Sequence, residues 1–202
     1  MIAYYCVEDP LSGAVIVRLL NDLLDELYLT ELQPNQGGFG GIKKKLSNYC
    51  TLAQHYDVFI LTDLDRAECA PSLRRKWFDS ANLNDPLPKK FNFNIAVTEV
   101  EAWLLADHNN LSKYLGIPTH ELPNDTQIAD PKEYLLRCVQ LYGNRRAKAE
   151  LLPTGAAKVG LGYNAHLSRF AMEYWDFRGA AERNASLHRT VERIAAARQE
   201  AS

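Results

Sequence analysis

Two carboxylates separated by one residue, Asp63 and Asp65, follow directly on the uncharged run Val58-Phe-Ile-Leu-Thr62. Side by side they repel, and their pKa values rise unless a cation sits between them. A third acid, Glu8, follows another uncharged run, Ile2-Ala-Tyr-Tyr-Cys-Val7. Oxygen donors of this kind suit a hard divalent ion, Mg²⁺ or Mn²⁺, which is held by a few carboxylates together with water. The alternative is that Asp63 caps a turn and Asp65 is solvated, since D-x-D is short enough to recur by chance. Further along, Glu99 and Glu101 open the segment Glu99-Val-Glu-Ala-Trp-Leu-Leu-Ala-Asp107. Acids in a first helical turn are favoured by the helix dipole whether or not they do chemistry. Asp107, at the end of the same segment, reads as structural. Lys158, between the glycines of Pro153–Gly162, can neutralise charge developing on a phosphate, or it can be a solvated loop lysine.

The elements that must carry these residues follow from hydrophobic spacing. Residues 2–7, 28–32, 57–62 and 91–97 read as strands, short and rich in β-branched and aromatic side chains. Ser12 is a candidate cap for a helix whose stripe runs Val15, Ile16, Leu19, Leu20, Leu23, Leu24 and Leu27. A glycine-rich loop, Asn35–Gly41, opens a helix with Ile42, Leu46, Tyr49 and Leu52 on one side, and a basic helix lies around 72–78. Strands alternating with helices predict an α/β fold, a mostly parallel four-stranded sheet flanked by helices. Each acidic cluster sits just after a strand. The carboxyl ends of parallel strands share one edge, which is where open α/β sheets place their sites. After residue 108 the composition changes, with Pro118, Pro123 and Pro131 punctuating a polar stretch. Helices follow over 132–142, around Leu167, Phe170 and Trp175, and from about Ser186. The chain divides into a core, 1–107, and a helical extension, 108–202, packed on that core.

Composition removes several classes of function. The chain has 202 residues, a net charge of −2 and 24% charged residues, so no global basic field is present and local patches must carry any anion binding. Candidate patches are Gly37-Gly-Phe-Gly-Gly41 with Lys43–Lys45, then Arg74-Arg75-Lys76, Lys89-Lys90 and Arg145-Arg146, each with the alternative of a solvated face. The glycine loop lacks the Gly-Lys-Ser/Thr ending of a nucleotide-binding P-loop, which excludes ATP hydrolysis by this chain. His55, His108, His120, His166 and His188 show no zinc-ligand spacing, and no G-x-S-x-G marks a serine nucleophile. Cys6, Cys50, Cys69 and Cys138 are widely spaced and read as reduced thiols. The N-terminal run meets an acid at Glu8, unlike a signal peptide, and no apolar stretch approaches the roughly 18 residues of a membrane helix. A soluble, cytoplasmic protein is expected.

Val7-Glu8-Asp9 at one strand end and Leu61-Thr62-Asp63-Leu64-Asp65 at a later one resemble the Toprim signature, found in topoisomerases, DnaG-type primases, small nucleases and the nuclease half of OLD (overcoming lysogenization defect) proteins. The order V-E-x-P, D-x-D, E-x-E-A-W-L-L-A-D, here Glu99–Asp107, and K-V-G-x-G-Y-N, here Lys158–Asn164, is similar to stand-alone bacterial Toprim-like proteins. The Toprim part covers residues 1–107 and the wider likeness reaches about residue 195. The resemblance implies a Toprim-like (Rossmann-like) core and a metal-dependent nuclease, a DNA endonuclease or nickase working with an ABC- or SMC-like ATPase in phage defence or DNA repair. It gives Glu8 the role of metal ligand or general base, and it makes Asp63 and Asp65 the metal-binding pair. Glu101 and Glu99 become the acids for a second metal, and Lys158 a lysine near the metals. The competing readings are a non-catalytic adaptor that binds a partner ATPase, and another Toprim chemistry such as nucleotidyl transfer.

Overall fold

The computed structural model describes residues 2–32, 39–65, 67–124 and 128–199. Strand β1, Ile2–Cys6, is followed by helix α1, Pro10–Leu23, and β2, Tyr28–Glu31. Then come α2, Phe39–Lys44, α3, Leu46–Leu52, β3, Asp57–Asp63, α4, Ala70–Ser80, and β4, Phe91–Ala96. Helix α5, Val100–Leu105, leads into α6, His108–Leu115, α7, Pro131–Tyr142, and α8, Arg145–Leu151. The chain ends with α9, Tyr163–Glu173, α10, Phe177–Ala181, and α11, Ala185–Gln199.

The strands form one sheet in the order β2-β1-β3-β4, every pair parallel. Residues Val58–Thr62 of β3 are buried on both faces, which an all-parallel sheet sandwiched by helices requires. From β1 the chain goes out to β2 on one side and returns to β3 on the other. The carboxyl ends of β1 and β3 therefore flank the point where the winding reverses, and Glu8 and Asp63 are the acids found there.

Each face of the sheet has its own core. Helices α2, α3 and α4 cover one face with Ile42, Leu46, Leu73, Trp77 and Phe78 packed on Val58, Ile60, Phe91 and Phe93. On the other face α1 and α5 join the later helices in a continuous cluster running from Ala3 and Leu11 through Trp103 and Leu135 to Phe170 and Ile194. A fully buried Leu or Phe contributes about 1.5–3 kcal/mol, so the two clusters readily outweigh the local cost of crowding acids at one edge. Among the described residues no helix is long and apolar enough to cross a membrane.

Four local expectations change. Asp9, not Ser12, caps α1: its Oδ1 accepts from the amides of Leu11 and Ser12 at 2.8 and 3.1 Å, and Ser12 lies buried inside the first turn. Pro10 fixes that choice, because its preset φ suits the first helical position. The helix expected through Ile42 and Leu52 is two helices broken at Lys45. The polar stretch after residue 108 begins with α6, capped by Asp107 and ended by Gly116 at φ 73°. Asp107 therefore starts a helix rather than ending one. Residues 35–38 of the glycine-rich loop lie outside the described residues.

Candidate functional site

Glu8 stands two residues beyond the end of β1, level with Thr62 of β3 by continuation of the Cys6–Ile60 pairing. The Thr62 hydroxyl donates to Glu8 Oε1. Burial pushes the Glu8 pKa up, with the charges of Asp65 and Asp9 adding to it while the Thr62 hydrogen bond opposes them. Asp63, the last residue of β3, accepts the amide of Val100 at 3.1 Å, which ties it to the start of α5. Its pKa is raised well above the usual range, first by burial and then by the charges of Glu101, Asp9, Glu8 and Glu99. Acids from the ends of three strands thus share one electrostatic neighbourhood. Asp65 is exposed and takes φ 48°, a left-handed conformation that Asp tolerates.

Beyond β4 the chain turns through Thr98 at φ 64°. A β-branched residue there is strained by about 1–3 kcal/mol, and such strain is held in place by surrounding structure. Here the amides of Leu64 and Asp65 donate to Ala96 and Thr98 at 2.8 and 3.1 Å, carrying the β3–β4 pairing past the strand ends. The turn brings Glu99 and Glu101 round to the side of Asp63.

Glu101 is 2% exposed. Its Oε1 accepts the Tyr163 hydroxyl at 2.9 Å and lies 3.4 Å from the Lys132 ammonium. Its Oε2 is buried with no hydrogen-bond partner among the described residues. The same ammonium lies 3.4 Å from Glu99 Oε1, and the Lys132 amide donates to Glu99 Oε2 at 3.3 Å. Burial raises the Glu101 pKa, Glu99 adds to the rise, and Lys132 and Tyr163 oppose it. Burial alone would lower the Lys132 pKa, but the charges of Glu101 and Glu99 more than offset it and the net shift is upward. The Tyr163 hydroxyl is also shifted upward, by burial and then by the charge of Glu101.

Tyr163 reaches this position through two glycines. A Cβ on Gly160 would lie 2.2 Å from the Glu150 carbonyl, and one on Gly162 would lie 2.9 Å from Glu150 Cβ. Without side chains, their amides donate to Leu151 and Glu150 at 2.8 and 3.1 Å. That docking against the end of α8 sets the start of α9. Lys158, in the same segment, is exposed and makes no hydrogen bond or ion pair with a described residue.

The donor set is carboxylate oxygen, the chemistry of Mg²⁺ and Mn²⁺. Among the described residues no three His, Cys, Asp or Glu side chains close on a point that could hold one ion. No protein-family model matches the chain, and no curated protein matches it. Among solved structures the chain is similar to the C-terminal region of the Burkholderia pseudomallei OLD protein. The identity is 13% and the TM-score 0.49, over 96% of this chain and 97% of that one.

Sequence spacing brings out Glu8, Asp63, Asp65, Glu99 and Glu101, but it misses Asp9, Thr62, Lys132 and Tyr163. Asp9 was findable, as an Asp ahead of a proline at a helix start. Nothing local marks Lys132, whose role comes only from α7 packing against α5. The basic stretches scatter. Lys90 precedes β4 and its carbonyl accepts the Val58 amide, so Lys89-Lys90 lies at the strand ends opposite the acids.

Proposed function

We propose that the chain is a divalent-metal-dependent phosphodiesterase of Toprim type, a nuclease that nicks or cuts DNA. The observation that carries this reading is Asp63, half-buried at the switch point of a parallel sheet with four other carboxylates in its electrostatic field. Such crowding costs stability unless a cation offsets it. The buried, unpartnered Oε2 of Glu101 fits the same need. Glu8, Asp63 and Asp65 would hold Mg²⁺ or Mn²⁺, with Glu101 and Glu99 as donors for a second ion. Such an ion supplies positive charge to the phosphodiester oxygens and lowers the cost of forming a nucleophile from water.

The chain's own residues do the rest. Glu8, with its pKa raised by burial, can take a proton at its carboxylate. Tyr163 and Lys132 hold Glu101 and Glu99 in orientation, and the Lys132 ammonium adds a fixed positive charge beside them. Lys158 is the candidate for charge stabilisation at the phosphate if its loop folds toward the acids on substrate. An ABC- or SMC-like ATPase as partner, and a role in phage defence or DNA repair, rest on the sequence resemblance alone. One observation favours the alternative of a non-catalytic adaptor: Lys132 already neutralises part of the acidic edge without any ion.

The test is cleavage of supercoiled plasmid and of single-stranded oligonucleotide with Mg²⁺ or Mn²⁺, with chelator as control. Wild type should nick, whereas Glu8→Gln and Asp63→Asn should be inactive yet folded. Intact substrates under both metals, with a cognate ATPase present, would leave the adaptor reading in its place.

A further inference from the structure

A second feature lies along the outer edge of β4. There α4 and α11 wall a cavity of about 740 Å³ whose floor includes Phe93 and Ile95. Arg74 and Arg75 project from one wall, Arg189 and Arg193 from the other. Two of the four are anchored. The Arg193 guanidinium donates to the Phe93 carbonyl at 3.1 Å and to Asn94 Oδ1 at 2.9 Å, closing off an edge-strand carbonyl. Arg74 lies 4.2 Å over the Phe78 ring and 3.7 Å from Asp85. Arg75 and Arg189 are exposed, and neither makes a hydrogen bond or ion pair with a described residue.

Asp79 and Asp85 also line the cavity, so guanidiniums outnumber carboxylates there. The arginines feel one another: burial lowers the Arg193 pKa, and the charges of Arg189 and Arg74 lower it further. Gathering like charges on facing walls is unfavourable unless an anion spans them. Guanidinium is the side chain suited to planar, multi-donor recognition of phosphate, and contacts of this kind position a nucleic acid without reading its sequence.

The location says which anion. Ile95 pairs in register with Thr62, and the next pair is Asp63 with Ala96. Ile95, on the floor of the cavity, therefore stands level with Thr62 and one residue short of Asp63, in a sheet whose neighbouring strands are about 4.8 Å apart. Arg189 and Arg193 are one helical turn apart, roughly 6 Å along α11, and form a row running beside β4. A chain of regularly spaced negative charges laid in this groove is led toward the acidic edge.

We infer that the α4–α11 groove binds the phosphodiester backbone of the nucleic acid on which the acidic edge acts, through Arg75 and Arg189 with Arg74 and Arg193 in support. This inference rests on the nuclease reading for what happens to the bound strand, but not for the binding itself.

The experiment is fluorescence anisotropy of labelled single-stranded and duplex oligonucleotides on the full chain, in chelator so that no turnover occurs, over a range of salt. Arg75→Ala/Arg189→Ala should bind about tenfold more weakly at moderate salt, and its log K against log salt should be shallower by about two units. Lys113→Ala, an exposed lysine on α6, controls for charge alone, and circular dichroism confirms that each variant is folded. Equal affinity and slope in the double variant, or no oligonucleotide binding by wild type, overturns the inference. So does tighter binding of labelled polyglutamate than of either oligonucleotide, lost in the same double variant, which would make the occupant an acidic polypeptide. If wild type binds through the groove but cuts nothing with either metal and the cognate ATPase present, the nuclease reading fails and the groove stands. If it cuts and the double variant binds as well as wild type, the groove fails and the nuclease reading stands.

Discussion

Glu101 is buried and Asp63 half-buried at the same edge of one sheet, and their surroundings differ. Glu101 has a hydroxyl at 2.9 Å and an ammonium at 3.4 Å, both brought by helices of the second half of the chain. Asp63 has one backbone amide and four like charges. Two halves of one acidic edge have thus been treated in different ways. Around Glu101 and Glu99 the protein supplies its own countercharge through Lys132. Around Glu8 and Asp63 the hydrogen bonds come from the Thr62 hydroxyl and the Val100 amide, and neither acid pairs with a cation among the described residues. The difference predicts that an added divalent ion acts on the Glu8–Asp63 half more than on the Glu99–Glu101 half.

Asp63→Asn should have the largest effect, abolishing Mn²⁺ binding by calorimetric titration and raising the stability of the metal-free protein. Folding raises the Asp63 pKa, so the folded chain binds its proton more tightly than the unfolded chain does. The metal-free wild type should therefore lose stability as pH climbs from about 4 through the raised value. The Asn variant should lose its share of that slope in melts recorded in chelator. A variant whose melting curve tracks wild type at every pH would remove the contrast between the two carboxylates.

Lys132→Met should act in the opposite direction. It strands Glu99 and Glu101, and breaking a fully buried pair costs about 3–5 kcal/mol. The Lys132 side chain is 38% exposed, so screening reduces the loss to about 2 kcal/mol in urea titrations at neutral pH. The loss should shrink as pH falls and Glu101 takes up a proton. A loss that is the same at all pH values would mean that Lys132 contributes only packing.

Tyr163→Phe keeps the ring and deletes one hydrogen bond to a buried carboxylate, for about 1–2 kcal/mol. It should leave Mn²⁺ affinity at the Asp63 half unchanged, and a large drop there would show that the two halves act as one unit. Lys158→Ala is expected to have the smallest effect on stability, within about 0.5 kcal/mol, because the side chain is exposed and touches nothing described. A lowered turnover with unchanged oligonucleotide affinity would bring Lys158 into the site.

The legible part of the fold is the part written in local pattern. The uncharged runs 2–7 and 57–62 announce buried parallel strands, and acids that follow such strands must share an edge. Glu8, Asp63 and Asp65 follow from that geometry alone. Lys132 does not, because a lysine in the first turn of an amphipathic helix looks solvated until the packing of α7 on α5 is known. Nor does Tyr163, whose aim depends on two glycines fitting against Glu150. The Arg75–Arg189 groove is equally silent, since its walls are 114 residues apart in the chain and each alone reads as a charged helix face.

Tyr163 meets Glu101 across 62 residues of chain, and Arg18 holds the Met172 carbonyl across 154. Contacts of such separation close against a loop entropy that local contacts do not face. The acids belong to the first half of the chain and their ammonium to the second. Lys132 nevertheless reaches Glu99 across only 33 residues, fewer than the 54 between Glu8 and Thr62, so the ammonium joins its acids over a shorter loop than the one that gathers the acids themselves.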